Sequence, residues 1–167
     1  MPGPAIGELF VRRSIHIRAV PERVWQEFSS YDHMQAWWGK VIGVTRAGTS
    51  KGMRLVRYEP RLGGRAEMEV DMNGEQARFG GPIVGFVPNQ QLTVENDWIP
   101  NRGWQKPTYI TIRLSAALGG TLVELVHYGF ERTGGDFSSE HAGYEQGWGM
   151  TQLNALKASI EGEPTSN

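Results

Sequence analysis

The clearest pattern along the chain is alternation. In "GRAEMEVDM", Ala66, Met68, Val70 and Met72 share one parity, and Arg65, Glu67, Glu69 and Asp71 share the other. That period of two is the mark of a half-buried strand. Ile15 and Ile17 show it again, opposite Ser14, His16 and Arg18. From about residue 41 to 129 every further run reads as strand: "GMRLVRYE", "GGPIVGFVP", "QLTVENDWI", "TYITIRLSA" and "TLVELVHYGF". "NGE" at 73–75 is a hairpin-turn signal between two of them.

Two stretches follow a different period. "VPERVWQEF" opens with Pro21, suited to the first turn of a helix, and carries Val24, Trp25 and Phe28 on one stripe. "SSYDHMQAWWG" predicts a second short helix, with Ser30 or Asp32 as N-cap and Gly39 as its stop. From Ser138 to Glu161, Tyr144, Trp148, Leu153, Leu156 and Ile160 recur at steps of three to five, which predicts one long helix. The order is one strand, two short helices, about six antiparallel strands and a final helix. Without βαβ alternation, a parallel sheet is not expected. The simplest burial for such a sheet is to curl around the last helix. One domain is expected over 9–162, with a flexible segment at 1–8 and a polar tail at 163–167.

Composition narrows the function classes. The chain has 167 residues, 39% hydrophobic and 21% charged, enough for one domain with a real core. Seventeen basic and 18 acidic residues balance to a net charge of −1, so nucleic acid is not an expected partner. There is no cysteine, hence no disulfide and no thiolate chemistry. No apolar run approaches a membrane span, so insertion is not expected, and "MPGPAIGELF" does not read as a signal peptide. A cytoplasmic protein is the natural expectation.

The element order and six motifs in register carry a resemblance. They are "AVPERVW", "WWG" at 37–39, "GGR" at 63–65, "VPNQQL" at 87–92, "GGTLVELVHYGF" at 119–130 and "GWGMTQLNAL" at 147–156. The chain resembles the Bet v 1-like, START-related (SRPBCC) superfamily. Within it, the chain is similar to homologues of the C-terminal domain of the heat-shock protein ATPase activator. The resemblance covers about residues 9–162. It implies an α+β helix-grip fold: a curved antiparallel sheet of about six or seven strands wrapped around a long C-terminal helix, with two short helices after strand 1. It also implies a cavity between sheet and helix, closed at one end by the short helices. Relatives commonly carry histidine at the position of His127, and an acidic residue where this chain has Gly85.

Alternation and that register select the inward residues. The expected ligand-lining set is Trp38, Tyr58, Met68, Val70, Val94, Asn96, Trp98, Ile112, Leu125, His127 and Trp148. Val56, Ala66, Leu92 and Ile110 share the inward parity. The set is mostly apolar, with a few polar tips, as small-molecule sites are. The plain alternative is that these side chains only fill a core. Of the adjacent Trp37 and Trp38, one ring is expected beneath the helix pair and the other near the cavity mouth, unless both are core. The loop at 96–107, with Trp98 and Trp104, either gates the cavity or packs back on the sheet.

Chemistry is harder to find. His127 is the weak candidate for a catalytic group, against a structural role across the sheet. His141 and Glu145 share a helix face, but two ligands make no metal site. There is no HExxH, GxSxG or P-loop, so no metal or cofactor is expected. Arg13 shares parity with Ile15 and Ile17. If buried it needs a partner; otherwise it reaches out at the sheet rim. The leading functional expectation is binding of a small hydrophobic or amphipathic ligand: a lipid, polyketide or aromatic metabolite. A cyclase- or hydrolase-type enzyme in the same cavity is the alternative, and a partner protein acting on a chaperone comes after it. A homodimer would need an edge strand or the loop tryptophans to pair two copies.

Overall fold

The computed structural model describes residues 3–4, 6–7, 9–38, 42–44, 50–72 and 75–162. Strand β1 (Phe10–Ile17) leads into helix α1 (Pro21–Trp25), a 3-10 turn at Gln26–Phe28 and helix α2 (Tyr31–Trp37). Seven strands follow: β2 (Ile42–Val44), β3 (Ser50–Tyr58), β4 (Arg65–Met72), β5 (Glu75–Val87), β6 (Gln91–Ile99), β7 (Thr108–Ala117) and β8 (Gly120–Tyr128). Helices α3 (Phe137–Gly147) and α4 (Thr151–Glu161) complete the described chain. The strands form one antiparallel sheet in the order β1-β8-β7-β6-β5-β4-β3-β2. This is the α+β helix-grip arrangement.

The local signals act as the physics requires. Pro21 opens α1, and Ser30 caps α2 by accepting the amide of His33 at 3.1 Å. The expected stop at Gly39 and the turn residues 73–74 lie outside the described residues. The antiparallel register still pairs Met72 with Glu75. Between α2 and the sheet lies a core that includes Val24, Phe28, Trp37, Leu55, Leu92, Leu125 and Leu153. Burial of such side chains is the dominant favourable term in folding.

Two features depart from simple periodicity. The single long helix is in fact two. Trp148 leaves helical geometry at ψ 115°, between Gly147 and Gly149. Glycine costs roughly 1 kcal/mol in a helix interior, and a flanking pair makes the break affordable. Arg13 then holds the loose end. Its guanidinium donates to the carbonyls of Glu145 (2.7 Å) and Trp148 (3.1 Å). The inward arginine has thus found its partner in a helix C-terminus, where carbonyls lack donors and cations are favoured.

The second departure is in β3. A register shift falls between Leu55 and Arg57 against β4. Leu55 and Tyr58 are both buried, while Val56 is only half-buried. An extra residue in one strand rotates the parity downstream, so the expected inward pair of Val56 and Tyr58 becomes Leu55 and Tyr58.

The outer face of the sheet is also partly covered. Thr93, Thr111 and Tyr128 are buried there, and their hydroxyls link at 2.7 Å and 3.0 Å. The Tyr128 hydroxyl also reaches the carbonyl of Pro4 at 2.8 Å. A Cβ on Gly85 would come within 2.7 Å of the Gly3 nitrogen. Residues 3 and 4 therefore lie against the sheet where Gly85 leaves room.

Candidate functional site

The space between sheet and helices has two parts. An inner chamber of about 40 Å³ lies beneath α2, lined among others by Met34, Trp38, Met68, Leu92, Val94 and Ile112. An outer vestibule of about 220 Å³ opens toward α3 and α4, walled by Met53, Trp98, His127, Tyr144, Trp148 and Gln152. Phe79, Asn96 and Ile110 line both, so the two spaces share a wall. The chamber has room for little more than a water or two. The vestibule is larger, though below the ~300 Å³ typical of drug-sized pockets.

Two glycines shape this region from β5. Gly80 and Gly81 have φ of 123° and 156°, and a side chain on Gly80 would strike the carbonyl of Ala66. Only glycine can take the strand past β4 so closely. Phe79, just before them, turns its ring onto Trp98 with centroids 5.1 Å apart.

The adjacent tryptophans divide the work. Trp37 is fully buried and donates its indole N–H to the carbonyl of Glu27 at 3.0 Å. It meets Phe28 edge-on on one side and Trp38 on the other, at 5.2 Å and 5.4 Å. Trp38 faces the chamber and approaches Trp148 at 6.4 Å. Edge-to-face aromatic pairs at such distances are favourable beyond their buried area. Together with Trp25, stacked on Phe28, they form an aromatic string from the helix pair to the vestibule.

His127 sits at the inner end of that vestibule, fully buried. Trp148 donates its indole N–H to Nδ1 at 3.0 Å. The ring proton must then be on Nε2, which donates to the Thr108 hydroxyl at 2.7 Å. Thr108 in turn donates to the main-chain carbonyl of Asn96 at 3.2 Å. Both ring nitrogens are occupied by this relay. Burial, with His141 adding to it, pushes the His127 pKa down to about 3, so the ring is neutral.

Tyr144 comes from α3 and was not singled out as a liner by its spacing. Its hydroxyl accepts the Trp98 indole N–H at 2.9 Å. Burial pushes its pKa up to about 12. Trp104, from the loop before β7, packs its ring toward Tyr144 at 6.3 Å and is buried. The expected loop at 96–107 is shorter, because β6 runs on to Ile99: Trp98 is a strand residue that walls the vestibule, and Trp104, in the loop, packs inward.

Asn96 differs from its neighbours. It is only 2% exposed, yet its side-chain Oδ1 has no hydrogen-bond partner among the described residues. It is the polar group shared by chamber and vestibule.

Of the eleven residues expected to line a ligand space, eight face the chamber or the vestibule. Trp38, Met68, Val94 and Ile112 face the chamber, Trp98, His127 and Trp148 face the vestibule, and Asn96 faces both. Tyr58 lies in the core instead, donating its hydroxyl to the carbonyl of Phe28 at 2.7 Å. Leu125 is core filling. Val70 lies in a neighbouring cleft of about 310 Å³ with Met53, Arg54 and Glu69. Parity names a face of the sheet; it does not say how far along the strand the space extends. Phe79 and Tyr144 escaped because a β5 beginning at Glu75 and a broken C-terminal helix were not expected.

Among the described residues, no helix is long and apolar enough to cross a membrane. A comparison with curated proteins finds no match. Solved structures are similar in fold. Protein CV1439 from Chromobacterium violaceum is 20% identical, with a TM-score of 0.66 over 93% of this chain and 99% of its own. The Aha1 dimer from Colwellia psychrerythraea is 20% identical, with a TM-score of 0.56 over 94% and 100%. DynU16, described as a putative protein in the dynemicin biosynthetic locus, is 15% identical, with a TM-score of 0.57 over 93% of this chain and 48% of its own. At such identities the likeness speaks to fold. Residues 18–161 match the family described as "Activator of Hsp90 ATPase homolog 1-like protein". With that match spanning nearly all of the helix-grip fold, the chain belongs to the Activator of Hsp90 ATPase homolog 1-like family.

Proposed function

We propose that this protein binds a small hydrophobic or amphipathic molecule in the vestibule, with the inner chamber as its apolar floor. The observation that carries the reading is the contiguity of the two spaces through Phe79, Asn96 and Ile110. A core that served stability alone would close over such a gap, because unfilled volume costs packing energy. The rings of Phe79, Trp98, Tyr144 and Trp148 suit a flat apolar guest.

A cyclase- or hydrolase-type reaction in the same space would need a base. His127 offers none in this arrangement, since Trp148 and Thr108 occupy its two nitrogens. Ligand binding without chemistry is the reading the geometry supports best. The test is titration of the purified protein with naphthalene, followed by tryptophan fluorescence. Trp98 and Trp148 line the vestibule, so saturable quenching is expected. Gln152→Trp fills the vestibule from half-exposed α4 and is expected to abolish that signal while the circular dichroism spectrum stays the same. Equal quenching in Q152W would place the binding elsewhere and sink the reading.

A further inference from the structure

Resting on that reading of the vestibule, we infer that the ligand is a hydrogen-bond donor: a one- or two-ring aromatic bearing an O–H or N–H that it delivers to Asn96 Oδ1. Buried side-chain oxygens almost always have partners, and leaving one without costs more than a hydrogen bond gains. Asn96 is 2% exposed and its Oδ1 has no partner among the described residues. The backbone around it is not short of donors and acceptors: the Asn96 carbonyl receives the Thr108 hydroxyl. The Trp148–His127–Thr108 relay spends its last donor on the main-chain carbonyl of Asn96, so it offers nothing to Oδ1.

The surroundings limit what can answer. Among the described residues, none of the side chains lining chamber or vestibule is charged. Recognition therefore falls to few polar atoms, and Asn96 is the one common to both spaces. An amide oxygen accepts and cannot donate, so the complementary group must carry a proton. Size sets a second limit. A dry cavity of roughly 150 Å³ holds benzene, and the vestibule measures about 220 Å³. One or two fused rings fit there, with the donor directed at the shared wall. Asn96 is thus a specificity-determining residue: it separates phenol-like guests from hydrocarbons of the same shape.

The experiment compares three guests of one shape by calorimetry or tryptophan quenching: naphthalene, 2-naphthol and 2-methoxynaphthalene. The last keeps the oxygen and lacks the proton. In the wild-type protein 2-naphthol is expected to bind roughly tenfold tighter than either of the others, the worth of one hydrogen bond to a buried group. In Asn96→Leu that advantage is expected to vanish, so that 2-naphthol and naphthalene bind alike. Equal binding of all three to the wild type overturns the donor rule and leaves apolar binding standing; the amide would then be served by water. An advantage shared by 2-methoxynaphthalene overturns it too, because the protein would be donating. Binding by none of the three overturns both this inference and the reading beneath it. The wild-type comparison does not depend on how well Asn96→Leu folds.

Discussion

His127 is where a single residue shows its role most directly. Its neutral ring is held between Trp148 and Thr108. Its pKa is about 3 in the fold, against an ordinary value of 6.5. Above 6.5 the ring is neutral in both folded and unfolded chains, and its contribution is fully present. Between 6.5 and about 3 the unfolded chain takes up a proton that the folded one refuses, so stability falls as pH falls. One such group gives a slope of up to about 1.4 kcal/mol per pH unit. His127→Gln should flatten the urea-measured stability profile below pH 6.5, although the variant is less stable at pH 7. NMR of the wild type should show the Nε2–H tautomer with no titration between pH 5 and 8. A ring that titrates near 6.5 would mean that the relay is not closed.

The element scale turns on the break between α3 and α4. Helix α3 has no fully buried side chain over residues 137–146. It is held by discrete bonds: Arg13 to the carbonyls of Glu145 and Trp148, His141 to the carbonyl of Phe10, and Tyr144 to Trp98. Helix α4 is held differently, by Leu153 and Leu156 in the core, by Lys157 on the His16 carbonyl of β1 and by Glu161 on the amide of Arg18 just after it. Arg13→Ala should therefore loosen α3 alone. Hydrogen exchange is expected to accelerate across 137–147 while α4 and β8 stay protected, with a stability loss of about 1–2 kcal/mol. Uniform acceleration over both helices would show that they act as one unit.

For the whole molecule, the aromatic string from Trp25 to Trp148 couples the helix pair to the vestibule. Trp37 is its fully buried centre. Trp37→Ala should cost about 3–5 kcal/mol by the usual cavity and transfer terms, measurable by chemical denaturation. A loss below about 1 kcal/mol would mean that the helix pair is not anchored through this ring. Tyrosine at 38 instead of tryptophan should alter the chamber without that penalty, because Trp38 lies at its wall and not at its centre.

How much of this was legible can be followed residue by residue. Strict alternation marked β4 and put Met68 on the chamber wall. Helix punctuation placed Pro21 and Ser30 at the starts of α1 and α2. The six motifs in register identified the family. Even the helix break left a trace: the one step of five in the apolar series, from Trp148 to Leu153, falls at the break. Local preference and burial period are properties of short windows, and a sequence carries them intact. What only the tertiary structure decided depends on distant residues meeting. The bulge in β3 moved the inward position from Val56 to Leu55 through pairing with β4. Arg13 found carbonyls 132 and 135 positions away. His127 is fixed in its tautomer because Thr108, 19 positions away, and Trp148, 21 positions away, meet its two ring nitrogens. Asn96 became the odd group between the two spaces because no described residue reaches its Oδ1. Whether a polar atom is satisfied depends on three-dimensional neighbours, and no pattern of spacing along the chain contains that information.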